Sequence, residues 1–378
     1  MIRILFFIES LSAGGAEKVL VTLLKNIDYS RYDVTLMPLV DIGVLREDLD
    51  LSKLNYTPVI REENSTWHRI WNKMKYKLIY HYLPCKWVNR WIIPQKGIDT
   101  YIAFTEGFPT KLLSYSNKKK IAWVHADLKT DPWTLHSHIF NDFEEEKKAY
   151  QQFDRVICVS KSVEQVMKEY YDLDRTITIY NPIDTDDILR KAQESVDINI
   201  SSSYNIVSVG RLVPQKGYDR LIHIIGKLRR EGVNVQLYII GEGVERKHLE
   251  NLIQQEKIQD IVHLLGFMKN PYALMAKMDL FVCSSIAEGF SLAIAEAMIL
   301  GLPIISTKCA GPSEILDGGK YGELVNNDEK GLYEGVRNFI NNSELPYDLK
   351  NKSAIRRSCF GVQKICKLFD NLVVLNNK

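Results

Sequence analysis

Two carboxylates, Glu288 and Glu296, bracket the stretch of this chain best equipped for chemistry. They belong to Glu288-Gly289-Phe290-Ser291-Leu292-Ala293-Ile294-Ala295-Glu296, which follows the apolar run LFVCSS and opens an apolar helix ending at Gly301-Leu302-Pro303. Gly289 lets the backbone turn sharply. The amides of Phe290, Ser291 and Leu292 then stand at the positive end of a helix dipole, a position suited to phosphate. Glu296 falls among Ala293, Ile294, Ala295 and Met298. A carboxylate there is costly without partners, which a hydroxyl-rich ligand would supply; on the other reading it faces solvent from an amphipathic helix. A second cluster, Val209-Gly210-Arg211-Leu212-Val213-Pro214-Gln215-Lys216-Gly217, ends a strand and carries two cations. Arg offers a planar fork and Lys a point charge, a pair fit to hold a diphosphate, although such loop cations are also found simply solvated. Gly14-Gly15-Ala16-Glu17, after the first apolar run, reads either as an anion cradle at a helix start or as a plain strand–helix turn. It is not G-x-G-x-x-G, so a dinucleotide enzyme is a poor fit. The D-x-D strings at Asp48–Asp50, Asp172–Asp174 and Asp184–Asp186 fall on polar segments. Mg²⁺ needs clustered oxygen ligands, so no metal and no cofactor is expected.

These groups need a scaffold, and the apolar rhythm predicts one. IRILFFI, DVTLMPLV, DTYIAFT, KIAWVH, RVICVS and TITIYNP alternate with helical stretches in the first half. NIVSVG, VQLYIIG, VHLLGF, DLFVCSS and PIIST repeat the rhythm in the second. Short continuous apolar strands separated by helices predict parallel sheets covered on both faces. The expected fold is therefore α/β, two Rossmann-like doubly wound domains facing a cleft, with ligands at the carboxyl ends of the strands. A length of 378 residues suits two domains. Asn181-Pro182-Ile183-Asp184 and the polar stretch to Ser203 mark the junction, giving domains over 1–183 and 184–345. Residues 346–378 would form a C-terminal helix that crosses back to the first domain. Six cysteines without a C-x-x-C pair behave as core residues of a reducing compartment, so a cytoplasmic location is expected. No run of about 18 apolar residues predicts a spanning helix.

The net charge of +2 hides one local exception. Trp67 to Lys96 holds seven basic residues, no acidic one and four of the six tryptophans, leaving 42 basic against 47 acidic residues elsewhere. Within the segment 65–97, Trp67, Trp71, Met74 and Leu78 recur at helical spacing beside Arg69, Lys73 and Lys77; after Pro84, Trp87 and Trp91 recur beside Lys86 and Arg90. Aromatic and cationic stripes together read as an element lying on an anionic membrane surface. The alternative is that the tryptophans pack into the core. Basic aromatic patches also bind single-stranded nucleic acid, but the balanced charge elsewhere argues against that partner.

Taken in order, GGAE after the first strand, His125 in WVHAD, Asn181-Pro182-Ile183-Asp184, GRL…QKG and the E-x₇-E run resemble the retaining glycosyltransferases of the GT-B fold, family 4. The resemblance spans essentially the whole chain. It implies a hexosyl-type transferase that takes a nucleotide sugar, with UDP as the default carrier, and passes the sugar to a glycan; if the basic, aromatic segment lies on the membrane, the expected acceptor is a lipid-linked glycan of surface-polysaccharide assembly at the inner face of the membrane. Arg211 and Lys216 would neutralise the leaving diphosphate, Glu296 would hold the ribose, and Glu288 would contact the transferred sugar. Gly14, Gly15, Gly289, Phe290, Ser291 and Leu292 would complete the phosphate cradle. His125 would stand beside the reacting centre, or else be a satisfied strand-end histidine. Relatives often read His-Asp where this chain has His125-Ala126-Asp127, which leaves the role of Asp127 open. A sugar-nucleotide epimerase on the same fold, or a non-catalytic partner subunit that binds nucleotide sugars, are the competing readings.

Overall fold

The computed structural model of the protein describes residues 1–12, 14–62, 65–198, 200, 204–342, 344, 348 and 360–375. They divide into two α/β units, Met1–Pro182 with Val362–Lys378, and Ile183–Gly361. Residues 201–203, at the end of the polar stretch, and 345–346, the expected end of the second domain, lie outside the described residues.

In the first unit β1 (Ile2–Ile8), β2 (Tyr32–Pro38), β3 (Asn55–Tyr56), β4 (Thr100–Ala103), β5 (Lys120–Val124), β6 (Arg155–Cys158) and β7 (Thr176–Thr178) form one parallel sheet. Its order is β3-β2-β1-β4-β5-β6-β7. β1 can be apolar along its whole length because it is a central strand: Ile4 to Ile8 are all buried. Helix α1 (Gly15–Asn26) follows β1, while α2 (Thr66–Lys77) and α3 (Cys85–Ile92) lie between β3 and β4. The helix Val362–Leu375 also belongs to this unit. Its apolar stripe of Val362, Ile365, Phe369 and Leu372 is buried, and Phe369 stacks on Phe6 and Trp123 at 6.1 and 5.9 Å. Arg31 pairs with Asp370 at 3.3 Å.

The second unit carries β8 (Tyr204–Val209), β9 (Val235–Ile240), β10 (Val262–Gly266), β11 (Leu280–Cys283), β12 (Ile304–Thr307) and β13 (Glu323–Val325), ordered β10-β9-β8-β11-β12-β13 and again parallel. Both sheets are doubly wound. Strand order reverses between β1 and β4 in one and between β8 and β11 in the other. At such a reversal the loops leave in opposite directions and open a crevice for ligand. The strands the sequence pattern does not predict, β3 and β13, are edge strands of two and three residues. Pairing on one side only, they need no continuous apolar run.

Candidate active site

In the second unit, the loops after β8 and β11 meet at the reversal. Lys216, from the first, donates to Glu288 Oε2 of the second at 2.6 Å. Burial pushes the Lys216 ammonium down, but the charge and hydrogen bond of Glu288, together with the nearby Cys283, outweigh it and hold the group above its ordinary value. Further bonds join the same loops: the Ile286 N–H donates to the Gln215 carbonyl at 2.7 Å, and the Ser284 hydroxyl to the Lys216 carbonyl at 2.8 Å. Gly217 is left-handed (φ 60°), and a Cβ there would lie 2.5 Å from the Ser284 carbonyl oxygen, so this approach requires glycine. Behind Glu288, the Gly311 N–H donates to the Glu288 carbonyl at 2.8 Å, and a Cβ on Gly311 would strike the Glu288–Gly289 backbone.

Gly289 leads through buried Phe290 into the helix Leu292–Ile299, whose N-cap Ser291 accepts from the Ile294 N–H at 3.4 Å. Glu296, on that helix, is only 4% exposed. It does not face solvent, and it accepts from the Tyr272 hydroxyl at 3.2 Å. Arg211 is exposed. The second unit thus gathers a partly buried ion pair, a capped helix start and a buried carboxylate along the carboxyl ends of β8 and β11, a set that can neutralise a diphosphate and accept from sugar hydroxyls.

At the reversal of the first sheet the groups are different. Glu9 closes β1, Glu106 follows β4, and His125 closes β5. The Tyr80 hydroxyl donates to Glu9 Oε1 at 3.1 Å, and burial raises the Glu9 carboxyl while bonds from Tyr80 and the Phe108 N–H oppose the rise. Glu106, 7% exposed, accepts from the His125 backbone N–H at 3.0 Å. Burial lifts its carboxyl to about 7 against the bonds it receives from the His125 amide, its own amide and Trp133. The His125 Nε2 lies 2.9 Å from the Phe104 carbonyl, which fixes that nitrogen as the N–H donor. Burial pushes the ring down to about 3, so it is neutral at physiological pH. Asp127 is engaged in its own turn, accepting from the Lys129 and Thr130 amides at 3.1 and 3.2 Å and from the Thr130 hydroxyl at 2.8 Å. Gly14 is the N-cap of α1 and Gly15 its first residue. A Cβ on Gly14 would lie 2.1 Å from a Glu17 carboxyl oxygen, so the chain's own carboxylate lies against this helix start.

The basic, aromatic segment lies on the surface of the first unit. Trp67, Trp71, Trp87 and Trp91 are 82, 63, 68 and 62% exposed, so they do not pack into the core. Lys73, Lys77 and Arg90 are exposed beside them. The segment is anchored from beneath by Ile79 and Val88, and by Asn89, whose amide donates to the Leu112 carbonyl and Ser116 hydroxyl, both at 3.0 Å. Between α2 and α3, Leu78–Tyr82 forms a wider π-type turn that directs Tyr80 inward, where its ring stacks on Phe108 at 4.6 Å. Among the described residues, no helix is long and apolar enough to cross a membrane.

Sequence reasoning misses Glu9, Tyr80, Glu106 and Tyr272. Glu9 and Glu106 carried one available signal, an acid directly after an apolar strand run; Tyr80 and Tyr272 carried none.

Comparison with known proteins adds lineage to this geometry. Residues 13–187 match the model of Glycosyltransferase Family 4, and residues 191–356 match that of Glycosyl transferases group 1. The chain is 27% identical over 377 residues to the N-acetylgalactosamine-N,N'-diacetylbacillosaminyl-diphospho-undecaprenol 4-alpha-N-acetylgalactosaminyltransferase of Campylobacter jejuni, covering 96% of each. In fold it is similar to Anabaena HepE, solved with UDP and glucose, with a TM-score of 0.75 at 19% identity over 99% of this chain and 100% of that one. Sucrose-phosphate synthase from Thermosynechococcus elongatus superposes with a TM-score of 0.73 at 15% identity, covering 99% of both chains. These structural neighbours are GT-B glycosyltransferases, and the two parallel sheets described above are the GT-B architecture.

Proposed function

We propose that this chain, which belongs to the glycosyltransferases of group 1 and family 4, transfers a sugar with retention of configuration from a UDP-sugar to a lipid-linked glycan. The observation that carries the reading is the Lys216–Glu288 pair at the β8/β11 reversal, with buried Glu296 on the helix that follows. Lys216 and Arg211 neutralise the diphosphate as it leaves, and the amides of Phe290, Ser291 and Leu292 take a share of the same charge. Donor binding divides the existing pair: the diphosphate takes over Lys216, and the released Glu288 carboxylate accepts from hydroxyls of the transferred sugar. Glu296 holds the ribose. Positive charge from side chains makes a metal unnecessary, and the reaction is proposed to run without one.

The acceptor hydroxyl attacks from the face the diphosphate leaves, and the departing phosphate oxygen takes its proton. The protein contributes position and a fixed electrostatic environment. His125, a neutral imidazole, can offer a ligand of the first unit a dipole rather than a charge. A lipid-linked acceptor is supported by the named substrate of the Campylobacter jejuni relative, an undecaprenol diphosphate. An anionic membrane as the working surface is supported by the exposed tryptophans and cations of α2 and α3. The test is incubation of the chain with UDP-sugars and an undecaprenyl-diphosphate-linked sugar, with the product's anomeric configuration read by NMR. An α-linked product from an α-linked donor is expected. A β-linked product, or none from any nucleotide sugar, overturns the reading.

A further inference from the structure

The Lys216–Glu288 pair is assembled from two loops about 70 residues apart in sequence, so something must hold those loops in register. Part of the answer lies on two side chains outside every motif, Arg220 and Asn327. Arg220 projects from the helix Tyr218–Arg230 and Asn327 follows β13. The Arg220 Nη2 donates to the Ser284 carbonyl at 2.5 Å and to Asn327 Oδ1 at 2.8 Å, and its Nη1 donates to the Asn327 carbonyl at 3.1 Å. The Asn327 amide in turn donates to the Ile286 carbonyl at 2.9 Å and the Lys308 carbonyl at 3.3 Å. Ser284 and Ile286 are the residues that bond the Lys216 and Gln215 carbonyls. The two side chains therefore grip, from behind, the segment that ends in Glu288 and bonds the loop carrying Lys216.

We infer that Arg220 and Asn327 form a bracket that positions Lys216 and Glu288 for the donor diphosphate without touching the donor themselves. The inference rests on the donor reading proposed above. It follows from the chemistry of the two groups. Carbonyls 284, 286 and 327 converge where only donors satisfy them, and a planar fork plus an amide supply those donors in fixed directions. A lysine at 220 would supply a point charge on a flexible stem, reaching one carbonyl without fixing the angle between two. An aspartate at 327 would keep the acceptor for Arg220 but turn an oxygen toward the carbonyls of Ile286 and Lys308.

The experiment is a double-mutant cycle on the full chain, read by UDP affinity and by turnover of a UDP-sugar. Alongside it, the rate of amine acylation at Lys216 is measured by peptide mass spectrometry without ligand. Arg220→Ala is expected to weaken UDP binding and slow turnover by about 10- to 100-fold, as a displacement near 1 Å does at a reacting site. Arg220→Lys should recover part of the loss, and Asn327→Asp should lose as much as Asn327→Ala. Lys216 acylation should rise several-fold in Arg220→Ala relative to other lysines. In a Lys216→Ala background the Arg220→Ala effect on UDP should vanish, because its route runs through Lys216. Additive losses, or a lower melting temperature with unchanged Lys216 labelling, would mean that the bracket only stabilises the fold and would overturn the inference. If the wild type binds no UDP, the donor reading fails, while the labelling still shows whether the bracket holds Lys216.

Discussion

The two sheets reverse strand order in the same way, yet the residues at the two reversals differ in kind. At β8/β11 the polar groups are charged and paired: Lys216 bonds Glu288 directly. At β1/β4 the carboxyls of Glu9 and Glu106 are satisfied by neutral donors, the Tyr80 hydroxyl and the amides of Phe108 and His125, and burial raises both. A site with an exchangeable cation is prepared for an anion. A site of carboxyls held by neutral donors beside a neutral imidazole suits groups that donate hydrogen bonds. One architecture carries two chemistries because the loops, and not the sheet, hold the charges.

This contrast can be broken most severely at Lys216. Lys216→Ala should slow transfer by about 10²–10³-fold, the range for removing one charge-stabilising group, as measured by product formation at saturating donor. Glu106→Gln keeps an acceptor for the His125 amide and should leave donor affinity unchanged. An equal loss of donor affinity in both variants would erase the distinction between the reversals.

The contrast sharpens with pH. The Glu106 carboxyl is raised to about 7 in the fold, so its contribution to stability is complete below the unfolded carboxyl range and is lost as pH rises toward 7. Relative to Glu106→Gln, the wild type should lose on the order of 3 kcal/mol between pH 4.5 and 7.5, by chemical denaturation. His125 has the opposite sign. Held neutral to about 3, it contributes fully above the ordinary histidine range, and that contribution is lost as pH falls toward 3. Opposite pH slopes for Glu106→Gln and His125→Asn are therefore expected; parallel slopes would contradict the environments described.

A smaller effect is expected at the surface of the first unit. Neutralising Lys73, Lys77 and Arg90 should lower binding to anionic vesicles by about 100-fold at low salt, near 1 kcal/mol per cation. The fold should be unaffected, because these side chains are exposed. Flotation that is indifferent to the substitution and to salt would remove the membrane from the account. The smallest effect belongs to Tyr80→Phe, which deletes the bond to Glu9 and should cost about 1 kcal/mol by denaturation.

The reversals also differ in how far they can be read from sequence. The second unit's site is legible because its parts are local: a strand, a glycine, a capping serine and a helix lie within Glu288–Glu296, and the spacing places Glu296 on a helix. Its partners are less visible. Tyr272, Arg220 and Asn327 reach the site through tertiary packing, which no local pattern encodes. In the first unit Glu9, Glu106 and His125 come from three strand ends spread over more than 100 residues, and only the sheet order brings them together. The helical spacing of Trp67, Trp71 and Met74 announced an amphipathic element but not whether its aromatic face turns inward or outward, since both faces would show the same period.

If the second unit's ion pair takes the diphosphate of a nucleotide sugar, UDP binding must depend on Lys216. Titration calorimetry with UDP on the wild type, Lys216→Ala and Glu106→Gln tests it most directly. Measurable binding to the wild type is expected, with at least about tenfold weaker binding to Lys216→Ala as one charge-assisted contact is lost and no change in Glu106→Gln. Undiminished UDP affinity in Lys216→Ala would contradict it.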